Sequence, residues 1–159
     1  GKDGEPFRIF KFRTMVENAE KIGGPSTSAD DPRLTKVGMV IRNLKIDEFP
    51  QMINILRGEM SFVGPRPEVL EEVETYSEEQ KRILTVLPGM VDYATTKFHN
   101  EEEILEGADD PHQAYKKKIQ PEKLRLAVEY VENRSFWVDC KVLLRFISTL
   151  ISTRMGNDH

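Results

Sequence analysis

Apolar and polar positions fall into helical register twice between Leu34 and Gly58. Val37, Val40, Ile41 and Leu44 stand at i, i+3, i+4 and i+7, with Lys36 and Arg42 off that stripe, which predicts a basic amphipathic helix. After a break at Lys45-Ile46, a second helix is expected from near Asp47. Pro50 sits in its first turn, where a missing N–H costs little, and Phe49, Met52, Ile53 and Leu56 form its expected buried stripe. Gly58 is the expected stop. Upstream, Phe7–Met15 is rich in aromatics and reads as a strand, with Lys11 and Arg13 alternating along it toward one anionic cleft or toward solvent. Val16–Lys21 extends as a short helix, and Ile22–Ser28 is a Gly/Pro/Ser loop, for which a lid beside a binding site is one role.

Downstream, Glu68–Tyr76 and Ser77–Leu84 read as helical, with Ser77 and Gln80 at capping-box spacing and Glu68, Glu71, Glu72 and Glu74 as a solvated face. Leu87-Pro88-Gly89 reads as a turn and Met90–Lys97 as a strand, and Asn100–Glu106 is acidic. Tyr115–Tyr130 is a helix interrupted at Gln120-Pro121. In Ser135–Thr153, Phe136, Cys140, Leu143, Ile147, Leu150 and Ile151 line one side and Lys141, Arg145, Ser148 and Ser152 the other. With Trp137 near its start, this helix either packs on the core or lies in a lipid headgroup layer. The elements predict an α+β fold, rich in helix with a small sheet, in one domain over residues 1–159.

Composition removes several function classes. Charged residues make up 31% of the chain and the formal net charge is -4, so no general basic field points to nucleic acid. The single Cys140 excludes an internal disulfide and reads as a small buried hydrophobe. His99, His112 and His159 have no metal-ligand spacing and read as surface residues. No apolar run reaches the ~18 residues that a membrane-spanning helix needs, and no stretch reads as a signal peptide.

The chemistry concentrates at Asp47-Glu48. An acidic pair at a helix start is most often a cap that answers the positive end of the helix dipole. Its company changes the balance. Arg42 lies one turn earlier, and Gly64-Pro65-Arg66-Pro67 is a stiff turn presenting an arginine, whose planar fork suits bidentate phosphate contact. Two carboxylates among guanidinium groups suit a metal ion and an anionic substrate together, as phosphoryl transfer requires.

KFRTM at Lys11–Met15, DPRLTKVG at Asp31–Gly38, IDEFPQMINILRGEMSFVGPRP at Ile46–Pro67 and LPGM at Leu87–Met90 occur in this order in a known group. The chain resembles the catalytic domain of the bacterial sugar transferases, the monotopic phosphoglycosyl transferases. The resemblance is close over about the first 90 residues and looser beyond; many members carry a tryptophan-containing block where this chain has Met90–Lys97. It implies a UDP-sugar donor, a polyprenyl (undecaprenyl) phosphate acceptor, Mg²⁺ as cofactor, and release of UMP at the start of glycan assembly. It implies Asp47 as the nucleophile of a covalent aspartyl phospho-sugar intermediate and Glu48 as the Mg²⁺ ligand. Lys11, Arg42 and Arg66 are implied to bind substrate phosphates. It further implies a membrane-inserted helix ahead of FRIFKFRTM, absent from this chain, and work at the cytoplasmic face of the bacterial inner membrane, with a soluble fragment here. The alternative is a non-catalytic nucleotide- or phosphate-binding module, or a docking module of a glycan assembly complex, which would keep the arginines without needing Asp47.

Overall fold

In the computed structural model, which describes residues 1–23, 26–28, 30–98 and 101–156, the first α-helix, α1 (Lys36–Asn43), is started by Thr35. The Thr35 hydroxyl accepts from the Gly38 N–H at 2.9 Å. The same hydroxyl and the Thr35 amide both donate to the Thr14 carbonyl, at 3.2 and 3.0 Å. The helix therefore begins hard against the KFRTM segment. A Cβ at Gly38 would lie 1.9 Å from the Thr14 carbonyl oxygen, which is why only glycine fits there.

The segment Phe7–Met15 does not form the expected strand. Its one ladder contact is an isolated antiparallel bridge from Met15 to Leu34. Its backbone groups are met by other partners instead. Phe10 N–H donates to Asn54 Oδ1 at 3.0 Å, Asn54 Nδ2 donates to the Arg8 carbonyl at 2.8 Å, and Phe12 N–H donates to the Asp47 carbonyl at 3.0 Å. A buried side-chain amide thus does what a neighbouring strand would do.

That amide comes from the second helical run, a 3₁₀ turn (Phe49–Gln51) leading into α2 (Met52–Leu56), with Pro50 in its first turn and Gly58 at φ 74° past its end. Its sidedness reverses the expectation. Gln51 and Asn54 are buried, whereas Phe49 and Ile53 are exposed and Leu56 is 85% exposed. Val37 and Val40 of α1, and Leu44 just past its end, also face outward. Hydrogen bonding chose the inner face here: Asn54 serves Phe10, Arg8 and the Glu59 carboxylate at once, and groups so buried cost dearly without partners.

Strands β1 (Ser61–Val63) and β2 (Gly89–Val91) form a two-stranded parallel sheet, with Ser61 opposite Gly89 and Val63 opposite Val91. Leu87-Pro88 runs straight into β2 without the expected turn. Between the strands lie α3 (Leu70–Val73) and a 3₁₀ helix (Gln80–Thr85), both shorter than expected, with the Ser77–Gln80 capping box formed. Gly64 N–H donates to the Val91 carbonyl at 3.0 Å and Gly89 N–H to the Pro65 carbonyl at 2.8 Å, so the GPRP turn lies directly on the Pro-Gly-Met backbone. The expected strand through Met90–Lys97 stops at Val91, because Asp92 and Thr95 form a capping box that starts α4 (Tyr93–Lys97).

The remaining helices are α5 (Glu101–Ile104), α6 (Pro111–Lys118), α7 (Gln120–Asn133) and α8 (Phe136–Gly156), with the expected break between α6 and α7 at Ile119. Val63, Val91, Tyr130 and Val142 make the core around the sheet, with Val138 and Phe146 packed against it. Helix α8 thus docks through Val138, Val142, Leu143 and Phe146, so only part of the expected stripe faces the core: Leu143 packs there, whereas Phe136 and Ile147 are exposed and Cys140 is half-buried. The Tyr130 hydroxyl fixes its rotation by bonding Asp139 Oδ1 at 2.7 Å. The side chains of Leu150, Ile151 and Ser152 lie outside the described residues, as do His99 and His159. Among the described residues no helix is long and apolar enough to cross a membrane.

Candidate active site

Glu48 ends the chain's approach to the 3₁₀ turn, but its carboxylate caps nothing. It points instead into a junction of two cations from distant segments. Lys11 Nζ donates to Glu48 Oε1 at 3.2 Å. Arg66 grips both oxygens in a fork, Nη1 to Oε2 at 3.1 Å and Nη2 to Oε1. The Arg66 Nη1 also donates to the Met90 carbonyl at 3.1 Å, so the GPRP and LPGM blocks jointly aim the guanidinium. Burial works against ionising Glu48, but Arg66 and then Lys11 outweigh it and hold the carboxyl at about 2. Burial likewise works against the charge on Arg66, and the facing Glu48 carboxylate more than offsets it, raising its pKa. Glu48 is therefore an anion throughout the working pH range, in a cluster whose local charge is positive.

Asp47 sits beside this junction, 6% exposed. Its backbone is pinned through the Phe12 N–H, and among the described residues no hydrogen bond or ion pair meets its carboxylate. The capping role is thus not the one this pair plays.

Lys11 also lines an open cleft of about 710 Å³, shared with Arg13, Thr14, Asn18, Thr27 and Arg42. Basic groups outnumber acidic ones along it, which suits an anionic ligand. Of the five residues expected at the site, Lys11, Glu48 and Arg66 meet directly and Asp47 adjoins them. Arg42 lines the same cleft as Lys11, and the ion pairs of Glu48 run to Lys11 and Arg66. Sequence reasoning missed Arg33. It is buried and bonds Asp31 by Nε and Nη2 at 2.9 and 2.7 Å, the Ala19 carbonyl at 3.3 Å and the Ser26 carbonyl at 3.2 Å, so it braces the cleft wall. Those bonds hold the Asp31 carboxyl below its ordinary value. Its place in DPRLTKVG was the available signal. In the Ile22–Ser28 loop, residues 24 and 25 lie outside the described residues.

Residues 1–153 match the family described as bacterial sugar transferase. The chain is 38% identical over 143 residues to the uncharacterized sugar transferase EpsL of Bacillus subtilis (strain 168), covering 90% of this chain and 62% of that protein. It is 34% identical to the UDP-N-acetylgalactosamine-undecaprenyl-phosphate N-acetylgalactosaminephosphotransferase of Aeromonas hydrophila, over 96% of this chain and 34% of that protein. It is 31% identical to the UDP-glucose:undecaprenyl-phosphate glucose-1-phosphate transferase of Caulobacter vibrioides, over 96% of this chain and 54% of that protein. The chain therefore spans between 34% and 62% of the length of these relatives.

Proposed function

The chain belongs to the bacterial sugar transferase family, and from that premise we propose that it moves a sugar 1-phosphate from a UDP-sugar to a polyprenyl phosphate and releases UMP. The observation that carries this reading is the Lys11–Glu48–Arg66 junction next to the buried Asp47, with Lys11 of that junction also lining a basic cleft. The Asp47 carboxylate attacks the phosphorus that bears the sugar. The bond from that phosphorus to the bridging oxygen breaks, and its electron pair leaves with UMP. A phosphate oxygen of the acceptor then attacks the same phosphorus, and the Asp47 carboxylate is released unchanged. Both attacks bring anion to anion, so the cations at Lys11, Arg42 and Arg66 lower the barrier by orienting and neutralising phosphate oxygens.

The family implies Mg²⁺, and the donor set accommodates it. A carboxylate offers about four lone-pair sites, and three on Glu48 are engaged by Lys11 and Arg66. Mg²⁺ keeps most of its waters and takes only one or two protein carboxylates; among the described residues no cluster of three or more His, Cys, Asp or Glu side chains exists to hold a metal alone. Glu48 would hold it, with the donor diphosphate supplying further oxygens, and it would add charge neutralisation there.

The isoprenoid of the acceptor stays in the bilayer, so the site works at a membrane surface, in this reading the cytoplasmic face of the inner membrane. The outward apolar residues of α1 and α2 support that contact. The test is UMP release from a panel of UDP-sugars with Mg²⁺, together with intact-protein mass spectrometry on donor alone. A sugar-phosphate adduct on Asp47 and a loss of turnover by orders of magnitude in Asp47→Asn are expected. Substantial activity in Asp47→Asn would remove Asp47 as nucleophile, and no UMP from any donor would favour the non-catalytic phosphate-binding module.

A further inference from the structure

One wall of the cleft is held in part by a residue far off in sequence. Thr27 lines the cleft, and the residue before it is gripped twice. The Ser26 carbonyl accepts from Arg33 Nη2, and Ser26 Oγ lies 3.1 Å from His112 Nδ1, across 86 positions of sequence. His112 stands in the first turn of α6, where the Asp110 carboxylate accepts from its backbone N–H at 3.0 Å. Its other ring nitrogen, Nε2, lies 3.4 Å from Glu72 Oε1 on α3. Glu72 is itself immobilised: it is 5% exposed and accepts from Gln120 Nε2 at 2.7 Å and Lys116 Nζ at 2.9 Å. Burial opposes its charge, but Gln120 and then Lys116 hold the carboxyl below its ordinary value. Neither residue is where sequence reasoning put it. His112 is not a free surface histidine and Glu72 is not on a solvated face, because α6 and α7 close over that side of α3.

We propose that His112 is a positioning residue for the cleft: the relay from Glu72 through His112 to Ser26 holds the Ser26–Ser28 stretch in its binding conformation and so sets how tightly the donor binds. This rests on the reading of the cleft as the donor site. The physical argument is preorganisation. A backbone stretch ordered only when ligand arrives draws its entropy cost from the binding free energy, whereas one held beforehand does not. His112 itself touches neither Asp47 nor Glu48, so its effect falls on donor affinity and not on the chemical step.

Ser26→Ala removes one end of the relay. His112→Gln keeps a polar atom toward Glu72 and leaves nothing at the Nδ1 place, whereas His112→Asn keeps a polar atom near Nδ1. Two readouts are taken: the donor KM in UMP release, and amide hydrogen exchange at residues 26–28 in the protein alone. Losing one hydrogen bond predicts that Ser26→Ala and His112→Gln each raise KM by about fivefold, with the maximal rate changed much less. The double variant should be no worse than either single one, because both cut the same relay. His112→Asn should recover most of the loss, and exchange at 26–28 should rise wherever KM rises. Additive KM effects, or unchanged exchange in folded His112→Gln, overturn the proposal. If the wild type releases no UMP from any donor, the functional reading fails, and exchange alone still decides whether the relay holds the loop.

Discussion

Cutting Arg66 back to methionine is the sharpest probe of the Glu48 junction, because it separates a working ion pair from an ordinary surface contact. Glu48 is held at about 2 against an ordinary 4.5, which corresponds to stabilisation on the order of 3 kcal/mol at neutral pH. The side chain of Glu48 is 19% exposed and that of Arg66 30%, so solvent screening removes only part of it. Arg66→Met leaves the carboxylate facing Lys11 alone, itself 43% exposed, and should cost about 2–3 kcal/mol. Glu48→Gln should cost less, since it leaves no orphaned anion, and the double variant should fall well short of the summed losses. The pH dependence has a definite sign. The folded-state pKa is depressed, so the contribution is complete above about pH 4.5 and is lost as the pH falls toward 2. Urea unfolding at a series of pH values should therefore show wild type and Glu48→Gln converging in acid. A loss below about 0.5 kcal/mol for Arg66→Met, or a pH-independent gap between wild type and Glu48→Gln, would refute the junction as an energetic unit.

Two further outcomes test other parts of the structure. Gly38→Ala places a methyl 1.9 Å from the Thr14 carbonyl oxygen, so despite the better helix propensity of alanine it should destabilise by about 1–3 kcal/mol; an unchanged melting temperature would mean that α1 shifts freely. Leu56→Glu alters a side chain that is 85% exposed and should leave the melt within about 0.5 kcal/mol of wild type while lowering flotation with liposomes several-fold. Equal flotation would take α2 out of any membrane contact.

What was legible in the sequence was local chemistry. The Pro50 and Gly58 boundaries, the Ser77–Gln80 box and the α6–α7 break follow from capping and proline rules that involve only neighbours. The meeting of Lys11, Glu48 and Arg66 was legible only through ordered motif blocks, since 37 and 18 positions separate these partners. Orientation was not legible. Periodicity identifies an apolar stripe but does not say that it faces the core, and the outward stripes of α1 and α2 look identical in sequence to inward ones. Asn54 and Glu72 were missed for a related reason. A polar residue on the minority face of a short helix reads as solvated until its distant partners, Arg8 and Phe10 for one and Gln120 and Lys116 for the other, are known.

The reversed sidedness of α2 bears on how the site reconciles two unlike substrates. Because Gln51 and Asn54 turn inward, with Asn54 bonded to the Arg8 and Phe10 backbone, Phe49, Ile53 and Leu56 of the same turns face outward, while Met52 and Ile55 are half-buried. Glu48 touches Lys11 of the basic cleft, while Phe49, the next residue along, is 66% exposed. Charged and apolar surfaces therefore meet within one residue at the dyad. A hydrophobic inner face for α2 would have given up both features together, leaving the KFRTM backbone without its partner and the surface beside the dyad polar. In the proposed reaction, a phosphorylated sugar nucleotide has to reach the same carboxylate as a phosphate carried on an isoprenoid. A helix that buries its amides and exposes its leucine and phenylalanine is the arrangement that lets both approach it.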